Sequence, residues 1–203
     1  MKRLTLVCLL MVAVALLWGS PVLASGSKAK PVTGASYYWY DGARKRTIHL
    51  DPELIAQFDG ERTPAKAAPP APGLEAAGEA RGGVRFWKAG AGSAEDSISA
   101  SAKAARASGG KFSPVFNNRG GRGRRALPGG VIVTFDSAMS DEACAAWIAA
   151  KGLTVQRKLT QSRQIYVLDT PAGMKSLELA NSLHESGEVE SASPNWWTEV
   201  ETK

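Results

Sequence analysis

The order of apolar runs and turn signals between Gly130 and Asn195 constrains this chain more than any other feature. Val131 to Phe135 is β-branched and aromatic and is entered through Pro128-Gly129-Gly130, the composition of a strand that follows a turn. Ser140-Asp141-Glu142 opens a helix that runs through Trp147 and Ile148 and stops at Gly152. Leu153 to Leu159 alternates apolar and polar residues, and Gln164 to Asp169 encloses a second run, Ile165-Tyr166-Val167-Leu168. Thr170 to Gly173 is a turn cluster, after which a helix runs from Lys175 to Glu185 and ends at Gly187. Val189 to Pro194 closes the block, with Val189 at the helix-to-strand junction and the strand proper from Glu190. The order βαββαβ predicts an α+β, ferredoxin-like domain over 128–197: an antiparallel sheet with two helices on one face.

Period-two reading assigns Val131, Val133, Phe135, Ile165 and Val167 to the face under the helices, covered by Trp147, Ile148, Leu179 and Leu183. The opposite face then carries Ile132, Thr134, Tyr166 and Leu168, clustered on the central pair of strands. An apolar patch there needs either a partner or a cover from the same chain, and the N-terminal β element is the candidate cover.

The residues before this block divide by composition. Lys2 and Arg3, the apolar run Leu4 to Trp18 and the small-residue site Val22-Leu23-Ala24 read as a secretory signal peptide over 1–24, cut after Ala24; the alternative is an uncleaved anchor. No later segment is apolar enough for a membrane span. Removal of the leader takes Cys8 with it and leaves Cys144 alone, so no internal disulfide is expected. Residues 25–59 hold a β-hairpin element: Tyr37-Tyr38-Trp39-Tyr40, a turn at Asp41-Gly42 and a return from Arg44 to Leu50. Asp51-Pro52 then turns the chain into a further strand or short helix, Glu53 to Phe58. Residues 60–127 are rich in Gly, Ala, Pro and Arg and read as a flexible linker or insertion outside the core. Within them, Val84 to Trp87 and Phe112 to Phe116 are apolar islands able to pair with the hairpin, and Gly90 to Gly110 is mobile or weakly helical in composition. Charge splits the same way: residues 25–126 carry 17 Lys and Arg against 9 Asp and Glu, whereas 127–203 carry 6 against 10.

Catalytic patterns are not legible. His49 and His184 have no His, Cys or carboxylate at ligand spacing, so neither a metal nor another cofactor is expected. There is no phosphate-cradling glycine loop and no Gly-x-Ser-x-Gly elbow. Cys144 sits in an Ala-rich helix beside Trp147 and reads as a buried structural thiol. The run Arg119 to Arg125 is basic and glycine-rich, a composition that binds nucleic acid by charge or serves as a solvated hinge. An acidic block behind an export signal, with Tyr166 alone for base stacking, argues against a nucleic-acid partner.

The block resembles the N-terminal prodomain of subtilisin-like serine proteases, of the fervidolysin type. Val131-Ile132-Val133-Thr134-Phe135, Ala172 to Asn181, and above all the closing run Ser186 to Asn195, with Val189-Glu190 and Pro194-Asn195, carry the likeness. The aromatic lead-in Tyr37 to Leu50 resembles the segment that precedes such prodomains in larger secreted proteases. The resemblance implies a non-catalytic module that packs its open sheet face on a subtilisin-like protease, in trans, or in cis if the gene is truncated or split. Its tail would lie substrate-like in the active cleft, inhibiting the enzyme and templating its folding. The implied docking residues are Ile132, Thr134, Tyr166 and Leu168, with Pro194, Asn195, Trp196, Trp197 and the tail 198–203 to Lys203 leading into the cleft. On that expectation, Tyr166→Asp weakens binding without unfolding the block, and removal of the residues after Asn195 weakens inhibition and leaves the fold intact. The Asp, His and Ser motifs of the protease domain are not found, and secretion or a periplasmic location is implied. A non-catalytic envelope interaction protein, or the remnant of a truncated protease gene, are the alternatives.

Overall fold

The computed structural model describes residues 34–58, 68–80, 82–89, 94–118 and 123–199. The expected signal peptide, the cut after Ala24 and Lys203 lie outside them, as do residues 119–122 of the basic run. The described residues form a mixed α+β structure of two antiparallel sheets and three helices.

The first sheet grows from the aromatic hairpin. Strand β1 (Ser36–Asp41) pairs with β2 (Arg44–Gln57), and Asp41 faces Arg44 across a two-residue turn. Gly42 takes φ +56° there, which glycine adopts without strain. Strand β2 does not turn at Asp51-Pro52. It runs on to Gln57, and its pairing with β5 shifts register between Leu50 and Ile55. Pro52 has no N–H to give a ladder, and this irregularity is where a strand tolerates it.

The stretch read as linker supplies most of the remaining sheet. It contributes β3 (Glu75–Ala76), β4 (Arg85–Lys88), helix α1 (Ala94–Ser108), β5 (Phe112–Asn117) and β6 (Arg124–Ala126). The strand order is β11-β6-β5-β2-β4-β3, with β1 also on β2 and β11 being Trp197–Thr198. Its average composition conceals a few large apolar side chains at paired positions. Phe86, Trp87, Phe112 and Phe116 are each at most 2% exposed. Each such burial contributes roughly 1.5–3 kcal/mol, enough to hold a glycine-rich stretch in place. Helix α1 packs on β2 and β5 with Ala104 wholly buried, a small side chain that lets the helix lie close to Ile55 and Trp87.

The second sheet is the block from 131 to 194. Its elements are β7 (Val131–Thr134), α2 (Asp141–Ala150), β8 (Val155–Lys158), β9 (Ile165–Leu168), α3 (Met174–Glu185) and β10 (Ser191–Pro194). The strands lie in the order β10-β7-β9-β8, each antiparallel to its neighbour. Ser140 caps α2 by accepting the Ala143 amide, and Asp141 and Glu142 in its first turn suit the positive end of the helix.

Helix α3 serves both sheets. Ala180 and Leu183 join the core of the second sheet, while Leu177 packs with Trp39, Leu50, Phe116 and Leu127 of the first. The Asn181 side chain donates to the Tyr38 carbonyl at 2.9 Å, and the Tyr38 and Tyr40 hydroxyls both donate to Glu185 Oε1 at 3.0 Å. The Tyr40 ring stacks on His184 at 3.9 Å between centroids. These hydrogen bonds, from Tyr40 and then Tyr38, hold the Glu185 carboxyl below its ordinary range and push both phenols up. A carboxyl with a depressed folded pKa contributes stability above its unfolded value, about 4.3 for Glu, and loses it as pH falls through the folded value. Urea midpoints measured from pH 7 down to about 3 are therefore expected to fall more steeply for the wild type than for Glu185→Gln. Parallel slopes would mean that this charge does not hold the seam.

Candidate partner-binding face

Antiparallel pairing decides which side chains of the second sheet share a face. Val131 lies opposite Leu168, Ile132 opposite Val167, Val133 opposite Tyr166 and Thr134 opposite Ile165. Directly paired residues project to the same side. Val131 and Val133 are therefore under the helices together with Tyr166 and Leu168, and the core there also holds Phe135, Cys144, Ile148 and Ala192. Ile132 and Thr134 are on the open side, as expected, but their companions are Ile165 and Val167. The assignment of Tyr166 and Leu168 to the open face is thus reversed. The reason is local: Ile165-Tyr166-Val167-Leu168 is apolar at every position, so alternation within the strand does not reveal its inward side.

Tyr166 is 7% exposed and Leu168 fully buried. The Tyr166 ring meets Phe135 edge-on at 5.8 Å, and its hydroxyl donates to Gln164 Oε1 at 3.0 Å. Lys158, on the same side, sits 2.7 Å from Asp141 and holds that carboxyl below the ordinary range. Burial pushes the Cys144 thiol up, which keeps it protonated and unreactive.

The open face is built on all four strands. Ile132 and Thr134 come from β7, Ile165 and Val167 from β9, and Ser193 and Ser191 face Ile132 and Thr134 from β10. On β8, Arg157 lies opposite Val167, and the Leu159 amide donates to the Ile165 carbonyl, which carries Leu159 onto the same side. Leu159 is 40% exposed; Ile132 and Ile165 are half-buried. Val167 is fully buried beneath Gly130 and Asn195. A side chain on Gly130 (φ +88°) would come 3.0 Å from Val167 and 3.4 Å from the Asn195 amide, so glycine is needed for this approach. The N-terminal hairpin makes its main contacts with this block at α3 and at the β10 edge.

The expected cleft-binding residues are placed differently. Pro194 pairs with Val131 in β10 and is buried. Asn195 is held by its amide on the Gly130 carbonyl at 3.1 Å and its side chain on the Gly129 carbonyl at 3.2 Å. Trp196 lies edge-on to Trp39 and to Phe116, each at 5.7 Å. Trp197 pairs with Ala126 and lies edge-on to Phe86, and the Glu199 amide donates to the Arg124 carbonyl at 2.9 Å. Residues 195–199 thus return to the first sheet, carrying the chain from one sheet to the other. The described end of the basic run is used in the same contact. Arg124 pairs with Glu199, and Arg125 lies over the Trp39 and Trp196 rings, its pKa lowered by burial.

The histidines have structural partners. His49 Nδ1 is 3.1 Å from the Ser36 hydroxyl, and His184 Nδ1 accepts the Ala192 amide at 3.4 Å. Among the described residues no group of three or more His, Cys, Asp and Glu is arranged to hold a metal ion, and no helix is long and apolar enough to cross a membrane.

Sequence reasoning missed Arg157, Leu159, Ile165 and Val167 on the open face. Their side follows from the pairing of β9 with β7 and from an irregularity in β8, neither of which has a signature within one strand.

Residues 112–195 match the family model described as the fervidolysin N-terminal prodomain. The match begins with β5 and β6 of the first sheet and ends just after β10, so it is wider than the βαββαβ block. Searches of curated proteins and of solved structures found no match.

Proposed function

We propose, for a chain that carries a fervidolysin-type N-terminal prodomain at residues 112–195, that it binds a subtilisin-like serine protease as inhibitor, folding chaperone or both. The protein is exported, and the block 128–197 acts as a ferredoxin-like module. The strand order β10-β7-β9-β8 with α2 and α3 on one side supports that topology. The observation that carries the functional reading is the open sheet face. Ile132, Ile165 and the exposed Leu159 form an apolar surface within the segment matched by the prodomain family. Such a surface beside polar residues is what a protein partner covers.

The path into the cleft differs from the one implied by resemblance alone. Pro194, Asn195, Trp196 and Trp197 are committed to contacts within the chain, so on this reading they position the tail. The segment entering the cleft starts beyond Glu199 and includes Lys203, binding as an added strand through main-chain hydrogen bonds.

The test is inhibition of a panel of subtilisin-like serine proteases by the chain purified after expression of the full sequence. Inhibition is expected, and Leu159→Asp and Ile165→Asp should each raise the inhibition constant by about tenfold or more with the fold retained, as for anchors near the centre of an interface. No inhibition by the wild type, or inhibition indifferent to both substitutions, would overturn the reading.

A further inference from the structure

We infer that Arg157 is a specificity determinant of the open face, and that the protease surface it meets presents a carboxylate beside an apolar patch. The inference rests on the proposed docking of that face. Between 141 and 169 the basic residues are Lys151, Arg157, Lys158 and Arg163. Three of them have carboxylates within the chain: Lys151 is 2.7 Å from Glu188, Lys158 is 2.7 Å from Asp141, and Arg163 is 3.8 Å from Glu190. Arg157 is exposed and, among the described residues, has no ion pair.

Its position follows from an irregularity in β8. Val155 lies opposite Leu168, on the helix-covered side, and in a regular strand Arg157, two residues on, would share that side. The register shift between Val155 and Arg157 brings Arg157 opposite Val167 and so onto the open face, while Lys158 opposite Tyr166 takes the helix side. A bulge that re-aims one side chain is a common device next to functional surfaces. The strand positions around it are Ile132, Thr134, Ile165, Val167, Ser191 and Ser193, none of them acidic. A partner that covers Leu159 and Ile165 removes water from Arg157 and has to supply the countercharge itself.

The experiment compares the wild type with Arg157→Gln, Arg157→Glu and Leu159→Asp against proteases of the panel, at low and high salt, with far-UV circular dichroism as the folding control. Arg157 is exposed, so all its variants should fold. Arg157→Glu is expected to raise the inhibition constant about tenfold at low salt, and Arg157→Gln less, as for a charge that steers and orients a complex. The wild-type constant should rise with salt more than that of Arg157→Gln, because salt screens the pair. Inhibition that Leu159→Asp weakens but Arg157→Glu leaves unchanged or improves would overturn this inference and leave the docking face standing. No inhibition by the wild type, or indifference to both substitutions, would overturn both.

Discussion

Tyr166→Asp is expected to unfold the second sheet rather than to blunt an interface. The side chain is 7% exposed, packed on Phe135 in the core under α2 and α3. An aspartate there loses the ring contacts and places a carboxyl in that core near Asp141, whose Oδ1 lies 3.4 Å from the Tyr166 hydroxyl. Loss of a buried aromatic costs about 3–5 kcal/mol, and burying an unpaired charge adds to it. For a domain of ordinary stability, about 5–15 kcal/mol, that is enough to empty the native state. Tyr166→Phe keeps the ring and loses only the hydroxyl's hydrogen bonds, so a cost of about 0.5–1.5 kcal/mol is expected. Urea unfolding followed by circular dichroism separates the outcomes. A folded Tyr166→Asp protein with a near-native midpoint would mean that Tyr166 faces solvent and that the register of β7 with β9 is wrong.

Truncation after Asn195 has the second large effect, on the first sheet. It removes Trp196 from its contacts with Trp39 and Phe116, and it removes β11, which pairs with β6 and places Trp197 against Phe86. With two packed indoles gone, a loss of at least about 3 kcal/mol is expected, read as a lower urea midpoint by circular dichroism. Truncation after Glu199 keeps all of these contacts. On the proposed function it should weaken protease inhibition. If truncation after Asn195 left stability intact and abolished inhibition, Trp196 and Trp197 would be cleft residues after all.

These two cases mark the limit of what could be read before the fold. Elements with strong local signals are where the sequence placed them. Helix α2 begins after its Ser140 cap, α3 ends at Glu185 before Gly187, and the hairpin turns at Gly42. The islands Val84 to Trp87 and Phe112 to Phe116 do pair with β2. Residues 60–127 were harder, because composition averages over length. Four aromatics at strand positions outweigh many glycines and alanines in area removed from water, and only their pairing with β2 shows that they are removed from it.

Local signals specify the order of strands and helices in the block, its match to the prodomain family model and the half of the open face on β7. Caps, turns and period-two alternation are local, and each is readable in a few residues. Tertiary structure alone decided the rest. The inward side of β9 depends on its register with β7, and the aim of Arg157 on a one-residue irregularity in β8. The role of Trp196 and Trp197 depends on a return to a sheet more than sixty residues away along the chain, since Trp196 meets Trp39 and Phe116. A run that is apolar at every position fits either face equally well, and the neighbour it hydrogen-bonds to makes the choice.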